Sequence, residues 1–260
     1  MTPAPGTRVV QWLNRAAAPS YRLFLLHHAG GSAATFRPWQ RSFPPDWDVC
    51  TVGVPGRGRL HDVAPVADCA ELVEFLLPAT QGWLDVPYGL FGHSMGGLLA
   101  YELTRALHGR GDPLPSWLGI SACRPPRVQL RNRAERGQPL PDEQLRGWLA
   151  EYGDTPAGLL TDEGIWRLFR PMFRADFDLV GSWAPDPDAP PLPVPITAFG
   201  GRDDPLVSST ELGSWAEHTE HFLGTHLYPG EHFYLSAHRR QIARQIALCI
   251  LYIQNGIRAS

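Results

Sequence analysis

A serine flanked at two removes by glycines, an aspartate and a histidine stand in an order that suits nucleophilic acyl chemistry. The string Gly92-His93-Ser94-Met95-Gly96 follows an apolar run, Tyr88–Phe91, and precedes a helical pattern from Leu98. A serine on such a strand-to-helix turn is held out of the sheet with its hydroxyl exposed. The turn is crowded, so the positions two before and two after the serine must carry minimal side chains, as Gly92 and Gly96 do. The following helix directs its positive end at the hydroxyl. Ser94 is the candidate nucleophile.

The serine needs a base, and elbows of this kind run Ser, acid, His along the chain. Five histidines follow at a useful distance: His218, His221, His226, His232 and His238. His218 reads as helical, His226 as inside a strand, His221 as too early and His238 as part of the C-terminal helix. His232 falls in the loop Pro229-Gly230-Glu231-His232-Phe233 after the last strand, where it can reach over the sheet. The acid belongs in the loop after the preceding strand, Gly201-Arg202-Asp203-Asp204-Pro205-Leu206-Val207. Asp203 and Asp204 compete there. The spacing G-x-x-D-x-x-V selects Asp204, with Asp203 as a turn residue. Asp204 would fix the tautomer of His232 and stabilise its imidazolium.

A tetrahedral intermediate needs an oxyanion hole. One donor is expected to be the backbone N–H of Met95, the residue after the nucleophile. The other is expected from the loop His28-Ala29-Gly30-Gly31-Ser32, whose glycines permit close backbone approach; Ala29 is the candidate. His28 and His93 read as hydrogen-bonding residues behind the site. No metal site is expected, because no second histidine or carboxylate stands at ligand spacing on a helix.

The elements that must position these residues follow from short apolar runs alternating with helical patterns, the mark of a mostly parallel sheet with crossover helices. Strands are expected at Arg22–His27, Val49–Val54, Tyr88–Gly92, Trp117–Ala122, Ile196–Gly200 and Thr225–Tyr228, and helices at Cys69–Leu77 and Leu98–Leu107. Ile242, Ile246, Cys249, Ile250 and Ile253 share one helical face near the end of the chain. The rhythm breaks between about Pro125 and Pro191, where helices are expected over Asp142–Tyr152 and Glu163–Phe173. The expected organisation is an α/β-hydrolase core, 1–124 and 192–260, with a helical lid insertion, 125–191. The lid aromatics Trp148, Trp166, Phe169, Phe173 and Phe177 are candidates for lining an acyl chamber.

Composition excludes several alternatives. The chain has 260 residues, 43% hydrophobic, and a formal net charge of −3, which gives no reason to expect nucleic acid or a membrane surface as partner. All 23 basic residues are arginine, so mechanisms needing a lysine of this chain are excluded. No run is long enough to cross a bilayer, and the first twenty residues hold no signal-peptide core. Cys50, Cys69, Cys123 and Cys249 are scattered and read as reduced thiols of a cytoplasmic protein.

The ordered set of motifs resembles the type II thioesterases, the discrete editing enzymes of polyketide and nonribosomal peptide synthetases. It runs through His28–Ala33 with Phe36 and Trp39, Pro55-Gly56-Arg57-Gly58, the Ser94 elbow, Tyr101-Glu102-Leu103, Arg174-Ala175-Asp176-Phe177, Gly201–Val207 and Gly230-Glu231-His232-Phe233. Discrete thioesterases of vertebrate fatty acid synthesis share it. The chain departs from the pattern at Arg59–Pro65 and Ser121–Pro125. The resemblance implies hydrolysis of acyl groups from the phosphopantetheine thioester of an acyl or peptidyl carrier protein. It implies no cofactor beyond the phosphopantetheine that the substrate carries. The chain has no Asp-Ser-Leu attachment motif, so it is expected to act in trans.

Two other readings share these residues. A carboxylesterase or lipase would carry the same three side chains, and a non-catalytic hydrolase-fold binding protein would be expected to lack one of them. An acyltransferase would require a lid that excludes water. Arg124, Arg127, Arg131, Arg133 and Arg136 face a single acid, Glu135, in the stretch 124–136. This basic run is a candidate docking patch for an acidic carrier and its phosphopantetheine phosphate, or else a solvated lid face.

Overall fold

A computed structural model describes residues 8–81, 84–136, 140–152 and 155–258. Its centre is a seven-stranded sheet: β1 (Val10–Asn14), β2 (Tyr21–Leu26), β3 (Trp47–Val52), β4 (Tyr88–His93), β5 (Trp117–Ser121), β6 (Ile196–Gly201) and β7 (Phe222–Tyr228). The spatial order is β1-β3-β2-β4-β5-β6-β7. Among the described residues, only the β1–β3 pair is antiparallel.

The strands are continuous apolar runs because both faces are covered. Along β2, Phe24 and Leu26 point into one core and Leu23 and Leu25 into the other. The first core is closed by α1 (Cys69–Gln81) and α2 (Met95–Arg110), through Leu72, Leu76, Leu99 and Leu103. The second is closed by α8 (Leu235–Arg258), which follows the short α7 (Ser209–Gly213) and whose Ile242, Ile246 and Ile250 meet Phe36, Trp39 and Phe91. Among the described residues, no helix is long and apolar enough to cross a membrane.

Two differences from the expected elements have physical causes. β1 is an additional strand. It is a short edge strand, half-exposed along most of its length, so it lacks the apolar run that marks the inner strands. β7 begins three residues earlier than expected, because its register with β6 slips between Ile196↔Phe222 and Ala198↔Thr225. Such a bulge absorbs Gly224, which interrupts the sequence pattern.

The described residues between β5 and β6 form four helices: α3 (Pro126–Arg136), α4 (Asp142–Tyr152), α5 (Ala157–Thr161) and α6 (Glu163–Ser182). The described residues from Pro125 to Pro191 contain no strand. α6 starts at Asp162, whose carboxylate accepts the N–H groups of Gly164 and Ile165. It runs on through Pro171 to Ser182, well past the expected end at Phe173. Its first half, with Trp166, Met172 and Phe173, joins Leu145, Leu149 and Leu160 in a separate apolar cluster. Its end, with Leu179 and Trp183, enters the main core, and Trp183 Nε1 donates to Glu102 on α2 at 2.8 Å. The last α helix of the region is therefore anchored directly to the helix that follows the elbow. The last helix of the chain, α8, has a non-helical kink at His238, whose Nε2 donates to the Pro229 carbonyl at 2.9 Å.

Candidate active site

The site is assembled at the C-terminal ends of β2, β4, β6 and β7, with β5 lying between β4 and β6. Ser94 caps α2 with φ 54 and ψ −118, a strained conformation for a residue with a side chain. The surroundings enforce it. The Ser94 N–H donates to Ser121 O on the neighbouring strand at 2.7 Å. A Cβ on Gly92 would overlap the Gly96 carbonyl, and one on Gly96 would overlap the Leu26 carbonyl. The elbow thus presses against the end of β2, which brings the serine beside the loop that follows that strand.

His232 arrives from the loop after β7 and Asp204 from the loop after β6. His232 Nε2 lies 3.1 Å from Ser94 Oγ, and His232 Nδ1 lies 2.9 Å from Asp204 Oδ2. The Asp204 side chain is fully buried and that of His232 nearly so. Asp204 Oδ1 accepts the N–H groups of Leu206 (2.8 Å) and Val207 (3.2 Å). One carboxylate oxygen is thereby held by the backbone and the other is left for the imidazole. A carboxylate so placed requires a proton on Nδ1, which makes Nε2 the acceptor facing the serine. Asp203 is exposed and takes no part in this line. Its N–H donates to Gly230 O at 3.0 Å and its carboxylate accepts the Gly230 N–H at 3.3 Å. His218, His221, His226 and His238 lie in the elements expected for them.

Three further histidines are buried behind the site. Burial, with Arg57 nearby, pushes His27 down to about 3, and burial with His27 and His232 nearby does the same to His28. His93 is held well below the ordinary histidine value by burial and by His232. These rings stay neutral, so an imidazolium formed at His232 meets no neighbouring histidine cation. His93 packs 5.3 Å from the His232 ring, centroid to centroid. Its Nδ1 is 2.8 Å from Ser121 Oγ, which is 2.7 Å from Tyr234 Oη. This buried chain ties the elbow strand, β5 and the residue pair after His232 together.

The loop after β2 turns at Ala29–Gly30, with Gly31 N–H donating to His28 O at 3.0 Å. The Ala29 N–H makes no hydrogen bond among the described residues. Met95 opens α2, and the first N–H groups of a helix have no intrahelical acceptor. Two uncommitted donors therefore flank the Ser94 region, one on each side of the β2–β4 boundary.

Serine, imidazole and carboxylate in line at the strand ends of an α/β sheet, beneath helices, define a hydrolase geometry and leave the substrate open. A family model for the thioesterase domain matches residues 21–248. The chain belongs to the thioesterase domain family. The gramicidin S biosynthesis protein GrsT of Aneurinibacillus migulanus is 33% identical over 232 residues, covering 88% of this chain and 90% of its own. The type II thioesterase BorB from the borrelidin biosynthetic cluster has a TM-score of 0.78 at 33% identity, covering 92% of this chain and 96% of its own. YbtT, a type II thioesterase from the yersiniabactin NRPS/PKS pathway, has a TM-score of 0.82 at 29% identity, covering 94% and 99%. The fold of this family member is that of the α/β-hydrolases.

In this thioesterase-family chain the five candidate lid aromatics divide into two groups. Trp166 and Phe173 stack at 5.9 Å inside the separate apolar cluster of the helical segment and are buried. Trp148 and Phe177 meet edge to face at 4.8 Å, and these two and Phe169 are half-buried. The candidate docking arginines divide as well. Arg124 is turned into the loop that carries Asp204, pairing with Glu211 at 3.2 Å and donating to the Leu206 carbonyl. Two residues earlier, Ala122 has a positive φ of 45. Arg127 is exposed beside Glu217 at 3.6 Å, and Arg131 is exposed. The side chains of Arg133, Glu135 and Arg136 lie outside the described residues.

Roles for Arg57, Asp176, Ser121 and Tyr234 escape the sequence reading. For Asp176 a signal exists: it shares the buried face of α6 with Trp166, Phe173 and Leu179, and a carboxylate on such a face must have a partner.

Proposed function

We propose that this chain is a serine thioesterase that releases acyl groups from the phosphopantetheine arm of carrier proteins, acting in trans to clear stalled or misprimed synthase modules. The observation that carries the reading is the Ser94–His232–Asp204 line at 3.1 and 2.9 Å in a member of the thioesterase domain family. The class of carrier and the editing role are supported by GrsT, a gramicidin S biosynthesis protein, and by BorB and YbtT, type II thioesterases of biosynthetic clusters.

In this mechanism Ser94 Oγ attacks the thioester carbonyl carbon while His232 Nε2 takes its proton. Asp204 holds the imidazole and stabilises its charged form. The carbonyl oxygen, now negative, is received by the N–H groups of Ala29 and Met95. The carbon–sulfur bond then breaks, and the pantetheine sulfur leaves with the proton from His232. Water, activated by the same imidazole, frees the acid from Ser94. Sulfur donates poorly to the adjacent carbonyl, so a thioester is the more reactive acyl donor than an ester of the same acid.

The test is hydrolysis of a panel of acyl groups on carrier proteins, beside matched acyl-CoA thioesters and oxygen esters, with Ser94→Ala as control. Wild type is expected to prefer acyl-carrier thioesters, a serine-reactive phosphonate to label Ser94, and Ser94→Ala to lose nearly all turnover while remaining folded. An active Ser94→Ala protein, or a preference for oxygen esters, overturns the proposal.

A further inference from the structure

Three stretches far apart in the chain meet in one buried ion pair beside the elbow: the loop after β2, the loop after β3 and the lid helix α6. Arg57 Nη2 and Nη1 donate to Asp176 Oδ1 and Oδ2 at 2.5 and 2.6 Å. Both residues are buried, Asp176 at 3% and Arg57 at 8% exposure. The pair also grips the backbone of the glycine loop. Asp176 Oδ2 accepts the Gly30 N–H at 2.7 Å, and Arg57 Nη1 donates to Gly31 O at 3.0 Å. Phe173, one turn earlier on the same helix, lies over the same point: a Cβ on Gly30 would come within 2.9 Å of its ring.

Burying two opposite charges is a weak route to stability, since desolvation offsets much of their attraction and an apolar pair of similar shape often serves as well. The location accounts for the pair better. The Gly30 N–H belongs to the peptide that joins Ala29 to Gly30, so fixing it fixes the orientation of Ala29 and of the N–H that precedes it. The acid doing so is carried by the lid and not by the sheet. We propose that Asp176 is a positioning residue for the oxyanion hole: it locks the Ala29–Gly30 peptide, so that the Ala29 N–H is aimed at the carbonyl oxygen only while α6 is seated. Acyl-chamber helix and oxyanion donor are thereby coupled, and an acyl chain that holds α6 in place also completes the hole. The inference rests on the reading of Ala29 as a donor in a serine thioesterase.

The test compares wild type, Asp176→Asn, and the double variant Arg57→Met/Asp176→Leu, which removes the charge that Asp176→Asn leaves buried and alone. Each is assayed for kcat and KM on a small acyl thioester. Each is also assayed for affinity to an alkyl boronic acid and to a thioether analogue of the substrate. The boronic acid takes the Ser94 Oγ lone pair into its empty orbital as the hydroxyl proton passes to His232, and becomes a tetrahedral anion, one oxygen of which occupies the hole. The thioether binds without using the hole. Both variants are expected to lose about 10- to 100-fold in kcat and in boronate affinity together, with KM and thioether affinity within about twofold of wild type. The double variant is expected to regain thermal stability without regaining kcat. Asp178→Asn, half-buried on the same helix and 3.8 Å from Arg174, is expected to behave as wild type. A folded double variant with wild-type kcat and boronate affinity overturns this proposal alone, as does a loss shared equally by thioether and boronate. A wild type that neither cleaves the thioester nor binds the boronate overturns the thioesterase reading and this proposal with it.

Discussion

Asp203 and Gly230 are joined by a reciprocal pair of backbone and side-chain hydrogen bonds, at 3.0 and 3.3 Å, which clasps the acid loop to the histidine loop. Its neighbour Asp204 reaches the His232 ring itself. Two adjacent aspartates thus bear on one histidine, one through its loop and one through its imidazole. Asp204→Asn is expected to lower kcat by about 10,000-fold, because an amide favours the wrong His232 tautomer. Asp203→Asn keeps an acceptor for the Gly230 N–H, and a single exposed hydrogen bond contributes only about 1 kcal/mol, so the loss is expected to stay under about tenfold. Steady-state kinetics of the two folded variants check the ranking; the reverse order would remove Asp204 from its role.

The meeting of Ser94, His232 and Asp204 was legible because each follows an apolar strand and each carries a local signature: glycines around Ser94, a glycine turn before His232, and the Gly201–Val207 spacing around Asp204. The inner strands were legible for the same reason, being apolar on both faces. β1 was not, since an edge strand with one covered face has no run to recognise. The Arg57–Asp176 pair was not, because its members stand 119 positions apart and nothing local in either names the other. Arg124 reads from its basic run as a docking or solvated residue, and nothing local to it announces the contact with Glu211 and the Leu206 carbonyl that the structure shows.

The lid aromatics are expected to separate by burial. Trp166 and Phe173 stack within the apolar cluster of the helical segment, so Phe173→Ala is expected to cost about 3 kcal/mol or more of stability. Trp148, Phe169 and Phe177 are half-buried, so alanine at Phe177 is expected to shift the preferred acyl length with a smaller change in Tm. Thermal denaturation paired with kcat/KM across acyl lengths checks both. Unchanged selectivity in Phe177→Ala would leave that ring a packing residue only.

Stability is expected to fall as pH drops through the weakly acidic range. His27 and His28 are depressed from 6.5 to about 3 by burial, and His93 is lowered in the same sense. Between those values the unfolded chain binds protons that the folded chain refuses, so acid favours unfolding. The contribution is full above about pH 6.5 and declines by about 1.4 kcal/mol per pH unit for each such histidine. His28→Phe keeps a ring against Phe233, which His28 meets at 4.8 Å, and removes one titrating group. Its stability is expected to decline less steeply between pH 6.5 and 4 than that of wild type, whatever its absolute value. Denaturant unfolding at several pH values measures the slope, and equal slopes would contradict the assignment.

The arginines after β5 should separate docking from support. Arg127 and Arg131 are exposed on α3, and the Arg127–Glu217 pair at 3.6 Å is open to solvent on both sides. Exposed pairs of this kind contribute about 0 to 1 kcal/mol, so breaking it does little to the fold. If this face meets an acidic carrier, Arg127→Glu with Arg131→Glu should raise KM for acyl-carrier substrates and leave a small acyl thioester unaffected. Added salt should weaken the wild-type enzyme toward the carrier in the same way, since exposed charges are screened beyond about 8 Å at physiological ionic strength. Arg124→Glu should behave differently. It places a carboxylate against Glu211 and removes the donor to the Leu206 carbonyl, in the loop whose N–H groups hold Asp204. Its expected effect is a lower kcat with both substrates, from a displaced acid, and little salt dependence. Kinetics of the double and single variants on the two substrates, at low and high salt, make the comparison. If the Arg127/Arg131 variant changes both substrates equally or neither, α3 is a solvated lid face and the carrier docks elsewhere.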